Sequence, residues 1–299
     1  MTGPRMLAVR HETCYDYDTP VEVAHHSAHL RPRETELQRV QGWELRIDPA
    51  PEGGRDAVQE SRDAFGNWRH GFSHARVHER LTVVSRFRVQ LLPPPLLDVD
   101  NSPPWQQVAQ SLRYRAGAQQ PDAVEFVLGS PFAAHHALLA EFGNGLFEPE
   151  RPLLGLAWAL MDRVHERIRY QPHSTDVATD ALQALKQGRG VCQDFAHLMI
   201  GTLRSHGLAA RYISGYLLTQ PPPGQPRLVG ADASHAWVAV WCPLNGWVAL
   251  DPTNNVAVAQ DHVTLAHGRD YADVAPLRGV IRGGGSTPPH VGVTVEPLT

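Results

Sequence analysis

Apolar and polar residues alternate along the first third of the chain, which is the pattern of half-buried β-strands. Three such runs contain Leu7, Val9 and His11; Trp43, Leu45 and Ile47; and Leu81, Val83, Ser85, Phe87 and Val89. Gly66-Asn67 lies between the second and third runs, where a hairpin turn is expected. We therefore predict a β-sandwich or an open barrel over residues 6–92.

The pattern changes to helical spacing after two proline-rich segments at residues 93–95 and 103–104. Short helices are predicted for residues 105–113 and 132–142. A long helix follows, because apolar residues recur three and four positions apart at Leu153, Leu154, Ala157, Leu160, Met161, Val164 and Ile168. We place the domain boundary at the prolines, with a β-rich domain over residues 1–95 and a second domain over residues 96–299.

The second domain combines helices with an antiparallel sheet. A helix is predicted to begin at Cys192 and to end before Gly207. Its core-facing positions are Cys192, Phe195, Ala196, Met199 and Leu203. Strand-like runs follow at residues 211–217, 234–241 and 246–251, with a last one at 291–295. This succession predicts an α+β fold in which a helix that carries a cysteine packs on an antiparallel sheet.

Cys192 occupies a position that favours a reactive thiol. Gly188 and Gly190 precede it, and it lies in the first turn of the predicted helix. Unpaired backbone N–H groups and the positive end of the helix dipole stabilise a thiolate at such a place. Asp194 is interpreted as an ordinary acid that accepts N–H groups at the helix start.

A histidine and a carboxylate follow Cys192 in the order that thiol chemistry requires. His235 begins one apolar run, and Asp251 ends the next run, where Pro252 stops the strand. In such a set the thiolate attacks a carbonyl, the imidazole moves the proton to the leaving group, and the carboxylate fixes the tautomer of the imidazole.

The spacing of the two runs decides whether these side chains meet. If residues 242–246 form the connection, the runs make an antiparallel hairpin in which Trp241 faces Trp247. Asp251 then lies diagonal to His235 on the same face of the sheet. A two-residue turn would put the two side chains on opposite faces, so we predict the longer connection.

Three segments carry a family resemblance: GVCQDFAHLMIGTLRSHGLAARYISGYL, SHAWVAVW and GWVALDPTN. They closely resemble the bacterial branch of the transglutaminase-like superfamily, whose fold is related to that of papain-like cysteine proteases. Residues 63–67 resemble part of the β-rich region that precedes the core in these proteins, and residues 267–276 are similar to their C-terminal part. By position, the resemblance implies Cys192 as nucleophile, His235 as base and Asp251 as orienting carboxylate.

Two further residues are candidates around this set. The backbone N–H of Cys192 is the first expected oxyanion donor, and in the wider superfamily a second donor comes from upstream, for which Gln171 is our candidate. Trp237 is one of three indoles near the proposed base. We interpret it first as core packing and second as a wall of the substrate cleft.

The composition limits the classes of function. At 299 residues with 42% apolar content, the chain is long enough to bury two cores. A net charge of -4 argues against nucleic-acid binding. The three cysteines have no metal spacing, and the sequence has no apolar segment of membrane-spanning length and no apolar export signal. We therefore expect a cytoplasmic protein without membrane contact.

Three functions stay open on the sequence. The first is thiol-dependent acyl transfer from a peptide or glutamine-like amide, through a thioester on Cys192, to an amine acceptor. The second is hydrolysis of the same bond by a cysteine peptidase or amidase, and the third is a non-catalytic binding module. The expected partner is a peptide or protein amide. No cofactor or metal is predicted, because the seventeen histidines lack co-ligands at metal spacing and no calcium-type acidic loop occurs.

Overall fold

The structure is a computed structural model that describes residues 3–117, 121–172, 174–175, 178–219, 234–286 and 288–298. Its strands are β1 (Arg5–Ala28), β2 (Gln38–Asp48), β3 (Gln59–Arg62), β4 (Trp68–His74), β5 (His78–Leu91), β6 (Arg169–Tyr170), β7 (Arg189–Gly190), β8 (Ala210–Leu217), β9 (Ser234–Cys242), β10 (Gly246–Asp251), β11 (Val256–Ala257), β12 (His262–Gly268), β13 (Leu277–Gly283) and β14 (His290–Leu298). Its α-helices are α1 (Trp105–Ser111), α2 (Ala137–Phe142), α3 (Leu153–Arg167), α4 (Ala181–Gln187), α5 (Cys192–Ser205) and α6 (Tyr271–Val274). No α-helix among these residues has the length and apolar character to cross a membrane.

The first sheet has seven strands, and the long strand β1 lies at its centre. The first half of β1 pairs with β5 and β14, whereas its second half pairs with β4 and β13. The residues that alternate in the sequence are buried here, with Leu7, Leu81, Val83 and Val89 each fully enclosed. The predicted β-rich first part of the fold is therefore confirmed.

The C-terminal end of the chain returns to this first sheet. Strands β13 and β14 both pair with β1 in antiparallel fashion. Residues 277–298 thus complete a sheet that begins at residue 5, a contact between distant parts of the sequence. The domain boundary at residues 95–96 stays a prediction.

The second sheet has the strand order β11-β10-β9-β8-β12, and helix α5 packs against it. The sequence predicts one core-facing stripe on α5, but every residue from Gln193 to Arg204 is buried. The additional burial arises because α2, α3 and α4 cover the sides of α5 that the sheet does not reach. The helix that begins at Cys192 is therefore the central element of an α+β core, and the predicted fold class is confirmed.

Strand β12 and the residues just before it join the two halves of the molecule at several points. Near its start, the side-chain amide of Gln260 donates to the backbone carbonyls of Gly3 and Leu91, at 2.8 and 2.9 Å. In its middle, the side chain of Gln38 bonds both the N–H and the carbonyl of Thr264, at 2.8 and 2.7 Å. The bonds from Gln38 satisfy backbone groups of β12 at the edge of the second sheet, and those from Gln260 tie the residues before β12 to the first half of the chain, which thus fixes the path of the strand.

A hairpin turn of the first sheet makes the last of these contacts. Asp63 accepts hydrogen bonds from the backbone N–H groups of Phe65 and Asn67, which shapes the turn predicted at residues 66–67. The side chain of Asn67 then exchanges two hydrogen bonds with the backbone of His267, at 2.7 and 3.0 Å. The sequence segment 63–67 thus has a structural role in joining the two halves.

Candidate active site

Cys192 is the first residue of α5, as the sequence predicts. Gly188 ends α4 with a φ of 64°, and the short strand β7 then leads directly into the helix. Asp194 accepts hydrogen bonds from the backbone N–H of Val191 at 2.7 Å and from the hydroxyl of Thr175 at 2.6 Å. These bonds hold the first turn of α5, so the thiol of the half-buried Cys192 lies at a rigid helix start.

The hairpin that carries the histidine and the carboxylate has the predicted longer connection. Trp241 pairs with Trp247 and Cys242 pairs with Gly246, so residues 243–245 form the turn. Gly246 has a φ of 67°, a left-handed conformation that glycine adopts without strain. This register brings His235 and Asp251 to the same face, with 2.7 Å between Nε2 of His235 and Oδ2 of Asp251.

His235 bridges the thiol and the carboxylate. Its Nε2 atom lies 2.7 Å from Oδ2 of Asp251, and Cys192 is the second side chain that acts on the imidazole. Burial by itself would lower the pKa of His235, but the hydrogen bonds with Asp251 and Cys192 outweigh it and raise this pKa to about 10. An imidazole that keeps its proton at neutral pH is a suitable counter-ion for a thiolate.

Asp251 is fully buried and surrounded by hydrogen-bond donors. Its Oδ2 atom accepts from the side chains of His235, Asn254 and His262, at 2.7, 2.7 and 3.1 Å. Its Oδ1 atom accepts from the backbone N–H groups of Thr253 and Asn254, at 3.0 and 3.2 Å. Burial would raise the pKa of this carboxyl, but the donors hold it well below its usual range. The carboxylate is therefore ionised and able only to accept.

His262 is a member of this cluster that the sequence analysis missed. It begins strand β12 and is buried. In the series Cys192, His235, Asp251, His262, it is the residue at the end away from Cys192. A signal for it is weak in the sequence, because nothing in its spacing distinguishes it from the other histidines of the chain. Only the pairing of β12 with β8 brings it beside the hairpin.

The same three side chains could also hold a metal ion. The ligand atoms of His235, Asp251 and His262 lie within 4.8 Å of one another. Two imidazoles and a carboxylate are ordinary ligands of zinc. The hydrogen bonds to Oδ2 of Asp251 account for the arrangement without an ion, since each imidazole donates to the carboxylate through Nε2.

Gln171 and Trp237 differ in how they relate to the site. The backbone N–H of Gln171 donates to the carbonyl of Gly190 at 2.9 Å, so this exposed residue lies beside the segment that leads into Cys192. Its role as second oxyanion donor stays a prediction. Trp237 is 1% exposed, and its ring centroid lies 6.0 Å from that of His235 and 5.3 Å from that of His262. The burial of Trp237 agrees with the packing interpretation, because almost none of the indole is open to a substrate.

Gly215 makes room for this tryptophan, and we expect Gly215→Ala to lower the free energy of unfolding by about 3 kcal/mol. Gly215 pairs with His235, and a Cβ atom there would lie 2.2 Å from the carbonyl oxygen of Val263 and 2.3 Å from the ring of Trp237. Urea denaturation measures the loss. Gly71→Ala is the control, because Gly71 is also a strand residue but its Cβ would meet only ordinary contacts at 3.9 Å or more. Equal losses for the two variants would contradict the packing described for Trp237.

An α+β core with a cysteine at a helix start and a histidine–aspartate hairpin on the facing sheet defines the papain-like class of folds. The family described as the transglutaminase-like superfamily matches residues 141–252, and the family described as the bacterial transglutaminase-like N-terminal region matches residues 7–90. The chain belongs to the transglutaminase-like superfamily.

Relatives span the chain. An uncharacterized protein of Mycobacterium tuberculosis is 38% identical over 288 residues, which cover 94% of this chain and 89% of the relative. A protein-glutamine gamma-glutamyltransferase of Pseudomonas aeruginosa is 35% identical over 159 residues, or 50% of this chain and 23% of that protein. A crystal structure of a candidate cysteine protease from Cytophaga hutchinsonii has a TM-score of 0.76 at 18% identity, covering 100% of this chain and 92% of that one, and it shares the fold.

Proposed function

We propose that the protein is a thiol-dependent acyltransferase that acts on a peptide or glutamine-like amide through a thioester on Cys192. The observation that carries the proposal is the position of His235 between the thiol of Cys192 and the buried carboxylate of Asp251. Nucleophilic catalysis by a thiol requires a base within hydrogen-bond reach and a third group that orients the base. His235 lies 2.7 Å from Asp251, and both Asp251 and Cys192 raise the pKa of its imidazole, which supports a working set of these three groups.

The proposed reaction has two halves. The sulfur of Cys192 attacks the amide carbonyl, and the proton held by His235 passes to the leaving nitrogen, so that ammonia or an amine departs and a thioester forms. An amine acceptor then attacks the thioester carbonyl, His235 takes the proton of the amine, and the sulfur of Cys192 leaves as a thiolate, which restores the starting pair. Asp251 keeps the imidazole oriented throughout, and the backbone N–H at the start of α5 donates to the oxyanion.

The preference for transfer to an amine over hydrolysis rests on one relative. The matching protein of Pseudomonas aeruginosa is described as a glutamine gamma-glutamyltransferase, and the similarity extends over half of this chain. This supports a glutamine side-chain amide in a peptide or protein as the acyl donor. Because all three cysteines are free, the cytoplasm predicted from the sequence is part of the same proposal.

Hydrolysis is the second candidate, and the surroundings of the thiol favour it. Tyr170 is 53% exposed and Gln171 is exposed as well, and both lie on the segment beside the entry to α5. Transfer to an amine requires that water is kept from the thioester. An open rim at this place would let water compete with the amine acceptor.

Incubation with a glutamine-containing peptide and a labelled alkylamine tests the proposal. We expect the peptide to gain the amine with loss of ammonia, in an amount that rises with amine concentration and is absent for Cys192→Ala. Mass spectrometry distinguishes this product from the glutamate or cleaved peptide that water would produce. Hydrolysed product alone at saturating amine would replace transfer by hydrolysis, and no product with either nucleophile would support a binding module.

A further inference from the structure

Asp251 is shared by two imidazoles, and the second one is not needed for the proposed proton transfer. Nε2 of His235 and Nε2 of His262 lie 2.7 and 3.1 Å from the same carboxylate oxygen. Because the carboxylate is ionised and can only accept, each of the two rings must carry a proton on Nε2. Both rings therefore present an N–H group to Asp251.

The remaining nitrogens of the two rings have different partners. Nδ1 of His235 is left for the thiol of Cys192. Nδ1 of His262 lies 3.5 Å from the backbone N–H of Ala259, from which it can only accept a hydrogen bond. His262 is thus held between a fixed donor and a fixed acceptor, and it has no free nitrogen that could exchange a proton with a substrate.

The strand that carries His262 is held from outside the second sheet. Gln260, two residues before His262, donates to the backbone of Gly3 and Leu91 in the first half of the chain. Asp261, which lies directly before His262, forms an ion pair with Arg5. Gln38 clamps Thr264, two residues after His262. The donor to Asp251 is therefore fixed by the N-terminal sheet, at a distance from the thiol.

We infer that His262 is a positioning residue, which holds the carboxylate of Asp251 in the orientation that His235 needs and connects the N-terminal sheet to the site. The inference rests on the proposed function, since it assumes that the Cys192–His235 pair is chemically active. It assigns a purpose to the first half of the chain, namely to fix strand β12. Without the His262 donor, a buried carboxylate would lose one of its three side-chain partners and with it part of its orientation.

The sign of the effect on the pH profile follows from the surrounding groups. Asp251 meets His235 from β9 and His262 from β12, Cys192 on α5 lies beyond His235, and His165 on α3 contacts the carbonyl of Thr253. Without the His262 donor, the side chains that hold Oδ2 of Asp251 are His235 and Asn254 alone, so the carboxylate can turn away from His235. A carboxylate turned away stabilises the protonated imidazole less, and the imidazole then supports the negative sulfur over a narrower range of pH. The acid limb of thiol reactivity must then move to higher pH.

The test is the pH profile of Cys192 alkylation by iodoacetamide, followed at peptide level by mass spectrometry, which needs no substrate. We expect His262→Ala to move the midpoint upward by about one pH unit, the equivalent of about one hydrogen bond to a charged group. His262→Gln, which keeps an N–H donor at the position of Nε2, returns the midpoint most of the way. The matched control is His267→Ala, a buried histidine of the same strand that contacts Arg211 and not the site.

The outcomes separate the inference from the proposed function. A profile unchanged in His235→Ala would show that no thiol–imidazole pair operates, which overturns the proposed function. If His235→Ala changes the pH profile but His262→Ala and the control His267→Ala have the same midpoint, the positioning role alone is overturned. If His262→Ala does not fold, as judged by near-ultraviolet circular dichroism, the tautomer of His262 in the unmodified protein is the test of whether His262 donates to Asp251. Long-range nitrogen–proton NMR should find the proton on Nε2, and a proton on Nδ1 would overturn the inference.

Discussion

Cys192→Ala is expected to lower the rate of acyl transfer by about 10⁴-fold or more, since removal of a covalent nucleophile abolishes the intermediate and leaves only the effect of binding. The fold should survive, because Cys192 is half-buried and the change removes a single atom at the start of α5. The initial rate of amine incorporation measures the loss, and a thermal melt checks the fold.

Cys242→Ala is the matched control for this prediction. Cys242 is completely buried at the end of β9, and its thiol contacts the side chain of Asn245 at 3.2 Å. Its replacement should lower stability but leave the rate of acyl transfer near that of the unmodified protein. A Cys192→Ala protein that turns over at the normal rate would exclude thiol catalysis, and equal losses in both variants would indicate an effect on the fold.

Arg204→Leu is expected to lower the free energy of unfolding by about 4 kcal/mol or more, because it removes the donors of several buried acceptors at once. Arg204 is fully buried in the last turn of α5. Its guanidinium donates to the carbonyls of Phe126, Ala210 and Arg269, at 2.9, 2.8 and 2.7 Å, and to the hydroxyl of Ser130 at 2.9 Å. Burial lowers the pKa of Arg204 to about 10, which still leaves the group charged at neutral pH.

Urea denaturation at neutral pH measures this loss, and Arg163→Leu is the control. Arg163 also donates to two backbone carbonyls, those of Phe142 and Asn144, but it lies at the partly exposed surface of α3 where water can replace it. Its replacement should cost no more than about 1 kcal/mol. Similar losses in the two variants would mean that the buried network of Arg204 contributes little to holding the helix that carries Cys192.

Arg204 is a residue whose burial the sequence does not predict. The periodic apolar positions identify the face of α5 that meets the sheet, and Leu203 was among them. They do not identify Arg204 as buried, because its partners lie at residues 126, 130, 210 and 269, which no local pattern connects. A charged residue in a helix is normally exposed, so the expectation for such a residue is wrong wherever a distant segment supplies the acceptors.

The candidate site also contains residues that the sequence predicts and one residue that it does not. Cys192 was predicted from glycines and a helix start next to it, and His235 and Asp251 from a hairpin whose two ends are sixteen residues apart. Helix starts and hairpin registers depend on residues that are close in the sequence, so their signals are present in a short window. His262 comes from another strand, and the role of Gln171 as oxyanion donor stays a prediction that local patterns do not decide.

The sequence by itself determined the strand-rich first half, the helix that begins at Cys192, the register of the hairpin and the family. Only the tertiary structure decided that β13 and β14 complete the first sheet, that every side of α5 is covered, and that His262 donates to Asp251 from a strand fixed by Gln38 and Gln260. The physical reason is that periodicity, turns and helix starts depend on the free energies of neighbouring residues. Contacts between distant segments depend on how complete surfaces pack and on which buried polar groups find partners there.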